Sequence, residues 1–255
     1  MATALAVFAH PDDMEFLAAG TLLRLKAVGY QVHCLAVANG CCGSTTLGRE
    51  ETARVRRGEA EASCRLAGFA WHESLVNDFE VLYEPRTMVR LAALVRQAAP
   101  DILLTHSPAD YMEDHENACR LAVSAAFGRG MPNLQTEPPA PPVDLSVTVY
   151  HAQPHGNRDP LGAIVRPTHY VDVGGEVLER KTAMLACHRS QQQWLDESQG
   201  MSSYLESMRA LMREVGEWSG RFGHAEGWRR RLGLGFCAPD ADPLAAALGP
   251  HCLRG

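Results

Sequence analysis

The chain has 255 residues, 46% of them hydrophobic, which is enough to bury one full core and fits a single α/β domain. A net charge of -6, with Arg229-Arg230-Arg231 as the one dense basic run, argues against a nucleic-acid partner, and no apolar stretch approaches the ~20 residues a membrane span requires. Eight cysteines with no C-x-x-C pair, in a chain with no basic-then-apolar leader, point to reduced thiols in a cytoplasmic protein rather than to a disulfide framework or a thiolate zinc site.

Residues 3–8 form an apolar run that reads as a buried strand, followed by helical spacing over 15–28, a second strand over 32–38 and a helix over 49–67. Such alternation predicts βαβ units and a parallel sheet. Between the second strand and its helix, Asn39-Gly40-Cys41-Cys42-Gly43-Ser44 matches neither the dinucleotide nor the P-loop spacing, and its adjacent cysteines read as small loop residues. Leu91, Ala92, Leu94 and Val95 keep helical spacing before Pro100; 101–106 reads as a further strand, 107–114 as a polar loop, and Ala118, Leu121, Ala122 and Ala125 as one face of a helix. The run Glu137-Pro138-Pro139-Ala140-Pro141-Pro142 cannot lie inside a helix or central strand, because its prolines lack donors and fix φ. Beyond it, 146–151 and 169–173 look like strands, 176–188 and 204–215 like helices, and the tail after Pro239 carries little signal. The expected fold is α/β: a Rossmann-like, mostly parallel sheet flanked by helices, with a Pro-rich loop and extra C-terminal strands and helices. One domain over 1–255 is expected, with a core over about 3–193 and a C-terminal helical extension over about 200–255.

In an open α/β sheet, groups displayed past the carboxyl ends of the strands converge on one crevice. Ala9-His10-Pro11-Asp12-Asp13 follows the first strand and Asp110 to His115 follows a later one, so both stretches are expected there. His10, Asp13 and His115 would supply three ligands to a divalent cation and leave a fourth position for water, the pattern of a catalytic site. Zn2+ suits these donors, and Fe2+ is an alternative because imidazole and carboxylate accept several divalent ions. Asp12, next to this set, is the candidate general base. The competing reading makes His10 to Asp13 a turn and helix cap. His155, Asn157 and Arg158, in a polar loop after a predicted strand, are candidates for substrate contact. His151 is either a core residue or an oxyanion donor, whereas His33, His72, His106, His169, His224 and His251 read as structural.

The stretch Ala9 to Asp13 with Glu15 resembles the signature of the LmbE-like, or PIG-L-like, zinc-dependent de-N-acetylases. Three further stretches match in order: Val55-Arg56-Arg57-Gly58-Glu59-Ala60; Pro100 to His106 with Asp110-Tyr111-Met112-Glu113-Asp114-His115; and Lys181 with His188-Arg189-Ser190-Gln191. The resemblance implies His10, Asp13 and His115 as zinc ligands, Asp12 as the base, Arg56 as a substrate-anchoring cation and His188 as a donor to the oxyanion; His155, from its polar loop, is the other candidate donor, and Asp114 a further candidate for substrate contact. It further implies removal of an acetyl group from a small N-acetyl amino sugar or its glycoside. An amidase acting on a bulkier N-acyl or thiol-sugar conjugate, and a catalytically weakened sugar-binding protein, are the rival expectations. The family's metal loop usually reads His-Pro-Asp-His, whereas this chain has Met112 and Glu113 at its first two positions, so any role of that first histidine falls to another residue. The sequence does not decide whether the chain forms a homo-oligomer.

Overall fold

A computed structural model describes residues 1–199 and 204–255. Residues 200–203, at the start of the expected extension, lie outside the described residues. The first apolar run is β1 (Thr3–Phe8), buried at every position. It lies between β2 (Gln31–Ala36) and β4 (Ile102–Thr105) and runs parallel to both. β3 (Ala70–His72) adds beyond β2 and β5 (Thr148–Ala152) beyond β4, again in parallel. A parallel strand is covered on both faces, which is why these segments read as continuous apolar runs.

Alternate residues of β1 feed two separate cores. Ala4, Ala6 and Phe8 pack with α1 (Asp13–Leu17), α2 (Ala19–Ala27), the end of α3 (Arg49–Ala67) and the later helices α6 (Glu176–Leu185) and α8 (Tyr204–Trp218). Leu5 and Val7 pack on the other side against α4 (Pro85–Ala98) and α5 (Glu113–Gly128). The helix expected over 15–28 is divided at Ala18, whose φ of -133° is not helical. A second helix start there aims the Gly20 and Thr21 amides at the Glu226 carboxylate, at 2.8 and 2.7 Å.

The order of the eight-stranded sheet is β3-β2-β1-β4-β5-β7-β6-β8, with β6 (His169–Asp172), β7 (Ala225–Arg230) and β8 (Cys252–Arg254) antiparallel to their neighbours. The stretch expected to be a helical extension thus supplies an interior strand, β7, a correction to that boundary. Its Glu226 is fully buried, and fully buried Lys181 donates to it at 2.5 Å. Burial of either charge alone would be strongly destabilising, so the pair holds α6 to β7 as a unit.

Asp242, before α9 (Pro243–Leu248), collects four donors: Tyr150 Oη at 2.7 Å, His169 Nε2 at 2.9 Å, Arg254 Nε at 2.7 Å and the Ala245 amide at 3.2 Å. Burial would raise its pKa, but the bonds from His169 and Tyr150 outweigh burial and bring it down to about 2. A depressed carboxylate stabilises the fold above its unfolded pKa of about 3.9, and that contribution fades as pH falls towards 2. Asp242→Ala is therefore expected to cost roughly 1–3 kcal/mol in urea unfolding at pH 7. The gap between variant and wild type should narrow on acidification.

Candidate metal centre and its cavity

The chain leaves β1 at Phe8 and turns at once, with the Ala9 amide donating to His106 Nε2 at 2.9 Å. Two reciprocal contacts shape the turn: the His10 amide donates to Asp13 Oδ2 at 2.8 Å, and the Asp13 amide to the His10 carbonyl at 3.3 Å. Between them Asp12 has φ +106°, in the left-handed region that a residue with a Cβ adopts only under constraint. Tyr204 Oη donates to Asp12 Oδ2 at 2.5 Å, and Arg56 Nη2 donates to Oδ1 at 3.0 Å as well as to the Pro11 carbonyl. The strained backbone therefore presents a carboxylate whose orientation is fixed from two sides.

His10, Asp13 and His115 bring one ligand atom each to within 4.8 Å of one another. Asp13 Oδ2 is 3.4 Å from His10 Nδ1 and 3.5 Å from His115 Nε2. A tetrahedral cation with bonds of about 2.1 Å has donor-to-donor edges of about 3.4 Å, so these three side chains fit such an ion. The remaining ring nitrogens face carboxylates: His10 Nε2 lies 3.1 Å from Asp114 Oδ2, and His115 Nδ1 lies 3.0 Å from Asp110 Oδ1. Partners of this kind fix the tautomer and aim the metal-facing nitrogen. His106 is fully buried, stacks on His115 at 4.1 Å and comes within 3.3 Å of Asp13 Oδ2. From the sequence alone it reads as structural. Its place directly after β4, like that of His10 two residues beyond the end of β1, is the signal that marks it.

Neighbouring carboxylates are driven in opposite directions. Burial raises Asp12, and the charge of Arg56 offsets this only in part. Asp13 is buried as well, but the charge of His115 and the hydrogen bond from His10 hold it well below the ordinary carboxylate range. One carboxylate is thus suited to exchanging a proton while the other stays ionised. For His10, burial is outweighed by hydrogen bonds to Asp114 and Asp13, which push its pKa up to about 10; Asp13 and Asp110 likewise raise His115 against burial. His10 thus holds a proton at pH 7 that a cation must displace, and the upward shift of His115 adds to the competition between proton and cation. Loading with Zn2+ at pH 7 is therefore expected to release roughly one to two protons and to weaken as pH falls, as read by calorimetry in buffers of different ionisation heat.

The cluster forms the floor of a cavity of about 510 Å³ walled by Phe16, Tyr111, Met112, Trp194, Leu195 and Tyr204. Arg56 lines it too, with Nη1 donating to Gln191 Oε1. A Cβ on Gly43 would lie 2.5 Å from Arg56 Nη1, and one on Gly40, whose φ is +75°, 3.0 Å from its Nε. The glycine-rich loop that matched no nucleotide motif is the cover of this guanidinium.

Of the other sequence-chosen residues, His155 stands exposed at the rim, its ring 5.3 Å from Tyr111 and 5.6 Å from Phe16. His188 does not reach the cavity: it is fully buried, with Nε2 3.1 Å from Glu15 Oε1. Asp114 is engaged by His10 and by the Phe79 amide at 2.8 Å and is not among the residues lining the cavity, so it braces the His10 ring. Asn157 is buried and donates to Glu214 Oε2 at 2.8 Å, and Arg158 is exposed away from the cavity lining. His151 is a core residue whose Nδ1 lies 3.0 Å from the His106 carbonyl. Tyr204, absent from the sequence reading of the site, belongs to it.

Residues 5–127 match the family described as PIG-L, GlcNAc-PI de-N-acetylase. The chain is 28% identical over 198 residues to the 4-oxalmesaconate hydratase of Pseudomonas putida, covering 74% of each protein. It is 26% identical over 195 residues to the diacetylchitobiose deacetylase of Thermococcus kodakarensis, covering 73% of this chain and 69% of that one. Among solved structures, a conserved protein from Thermus thermophilus superposes with a TM-score of 0.74 at 26% identity, over 95% of this chain and 100% of that one. The N,N'-diacetylchitobiose deacetylase of Pyrococcus horikoshii superposes with a TM-score of 0.73 at 24% identity, over 95% and 88%, and shares the fold.

Proposed function

We propose, on the match of residues 5–127 to the PIG-L family, that this chain is a zinc-dependent hydrolase of that family, removing an acetyl group from an N-acetyl amino sugar or its glycoside. The observation that carries this reading is the meeting, in one cavity, of the His10, Asp13 and His115 donors with a separately oriented Asp12 of raised pKa. Deacetylases among the relatives support the substrate class.

When bound by His10, Asp13 and His115, a divalent cation supplies an acidified water and an electrostatic sink for charge on the amide oxygen. Zn2+ is favoured by the donor set, with Fe2+ the alternative. Asp12 receives the proton of the attacking water and passes it to the amine nitrogen as the C-N bond breaks, giving acetate and a free amine. Tyr204 and Arg56 hold the carboxylate on that line. Arg56 thus acts on the base, a different task from the substrate anchoring expected of it. Met112 brings no proton to the rim, and His155, beside Tyr111, is the imidazole available to donate to the acyl oxygen. Among the described residues all eight cysteines are free, and no helix is long and apolar enough to cross a membrane.

A second reading, hydration of an unsaturated carboxylate, draws on the 28% identity to the hydratase and uses the same water and base. One experiment separates them. Metal-reconstituted protein is offered N-acetylglucosamine, its glycosides and chito-oligosaccharides, with 4-oxalmesaconate in parallel. Acetate release supports deacetylation. Loss of the conjugated absorbance without acetate would replace it by hydration, and a larger released acid from N-acyl analogues would make the protein an amidase. Sugar binding without any turnover would leave a binding protein.

A further inference from the structure

A second group of ligand atoms stands at the rim of the cavity, apart from the histidine cluster. Cys41 Sγ, Cys42 Sγ and a carboxylate oxygen of Asp78 lie within 4.8 Å of one another, and both Cys42 and Asp78 line the cavity. We propose that Cys41, Cys42 and Asp78 form a site for a thiophilic divalent cation at the cavity entrance.

The sulfur atoms are 3.9 Å apart. In a tetrahedral thiolate site with metal-sulfur bonds of about 2.3 Å, the sulfur-to-sulfur edge is about 3.8 Å. A disulfide needs a separation of about 2.05 Å, so the pair is spaced for a shared ion rather than for a bond. Asp78 is fixed by two amides, Gly40 to Oδ1 at 2.7 Å and Cys42 to Oδ2 at 2.8 Å, and each oxygen keeps a further lone pair. The Cys41 amide donates to Asn39 Oδ1 at 3.1 Å, which holds the turn between the carboxylate and the sulfurs. Two soft sulfurs and one oxygen select Zn2+ or Cd2+ over Mg2+ or Ca2+.

On binding, each thiol releases its proton to solvent and becomes a thiolate ligand, with no change of oxidation state. Three protein ligands would leave a fourth coordination position for water. The loop that carries the cysteines also covers Arg56 through Gly40 and Gly43, so an ion seated there stiffens the cover of the guanidinium that holds Asp12. The site goes beyond the hydrolase reading, and its test reads binding rather than turnover.

Protein preloaded with Zn2+ at the histidine cluster is titrated with Cd2+, following the thiolate-to-cadmium charge-transfer absorption and the metal retained after desalting. One further cadmium per chain with a thiolate band is expected, together with protection of Cys41 and Cys42 from iodoacetamide in mass spectra. The Cys41→Ser/Cys42→Ser double variant should keep the cluster's zinc and lose both the band and the extra cadmium. Should that variant not fold, Cys42→Ser alone, at an exposed position, is expected to bind cadmium at least about tenfold more weakly. Absence of a band in the wild type, an undiminished band in the variants, or protection confined to other cysteines such as Cys34 and Cys64 would overturn the proposal.

Discussion

Asp12→Asn is expected to keep its metal and to lose turnover by about 10²–10⁴-fold. Asparagine has the same shape and can still accept from Tyr204 or Arg56, so the turn at His10 to Asp13 should persist. What it lacks is a site for the proton that must leave the water and reach the amine. The effect belongs in kcat, because Asp12 meets the reacting atoms and none of the metal donors depends on it. In the wild type, the raised pKa of Asp12 places the acid limb of the kcat/KM profile above the ordinary carboxylate range, and activity falls as pH drops through it. In the variant that limb should disappear from whatever activity remains. Hydrolysis within tenfold of wild type, with metal content measured as equal, would remove Asp12 from the base role.

Asp13→Ala should fail in a different way, by losing the metal. Its Oδ2 is the common neighbour of His10 Nδ1, His106 Nε2 and His115 Nε2, at 3.4, 3.3 and 3.5 Å. Without it, three imidazoles crowd one point with no anion between them. The same atom accepts the His10 amide, so the turn that presents the first ligand loosens too. Metal affinity is expected to fall by more than about 100-fold, whereas Asp114→Ala, which removes the brace on His10 Nε2 together with the acceptor of the Phe79 amide, should cost about 10–100-fold. Metal analysis after dialysis against a calibrated chelator reads both. Full retention in Asp13→Ala would show that the cation sits elsewhere.

The floor of the site was readable because it is local. His10 to Asp13 and Asp110 to His115 each sit just after a strand whose apolar run announces it, and parallel topology brings such ends together. The walls were not readable, because they depend on pairings across the chain. Tyr204 meets Asp12 across 192 residues, and a tyrosine at helical spacing carries no mark of that partner. The direction in which a ring points is equally silent: His188 lies in a matched motif but turns to Glu15, and the Asn157 amide is taken by Glu214. β7 escaped because Glu226, Arg229 and Arg230 break its apolar pattern, and only Lys181 and the α2 amides explain a carboxylate at its centre. The division at Ala18 has the same origin in Glu226, which lies outside any local window.

The position of β7 also sets the timing of assembly. It lies between β5 and β6, although the ribosome makes it after both. Until residue 225 has emerged, those two strands flank an empty lane, and the sheet beyond β5 forms through contacts between segments distant in the chain. Such a sheet closes late. A polypeptide broken off before that point carries His10, Asp13 and His115 and yet leaves Lys181 without Glu226 and exposes two open strand edges, which invite edge-to-edge association.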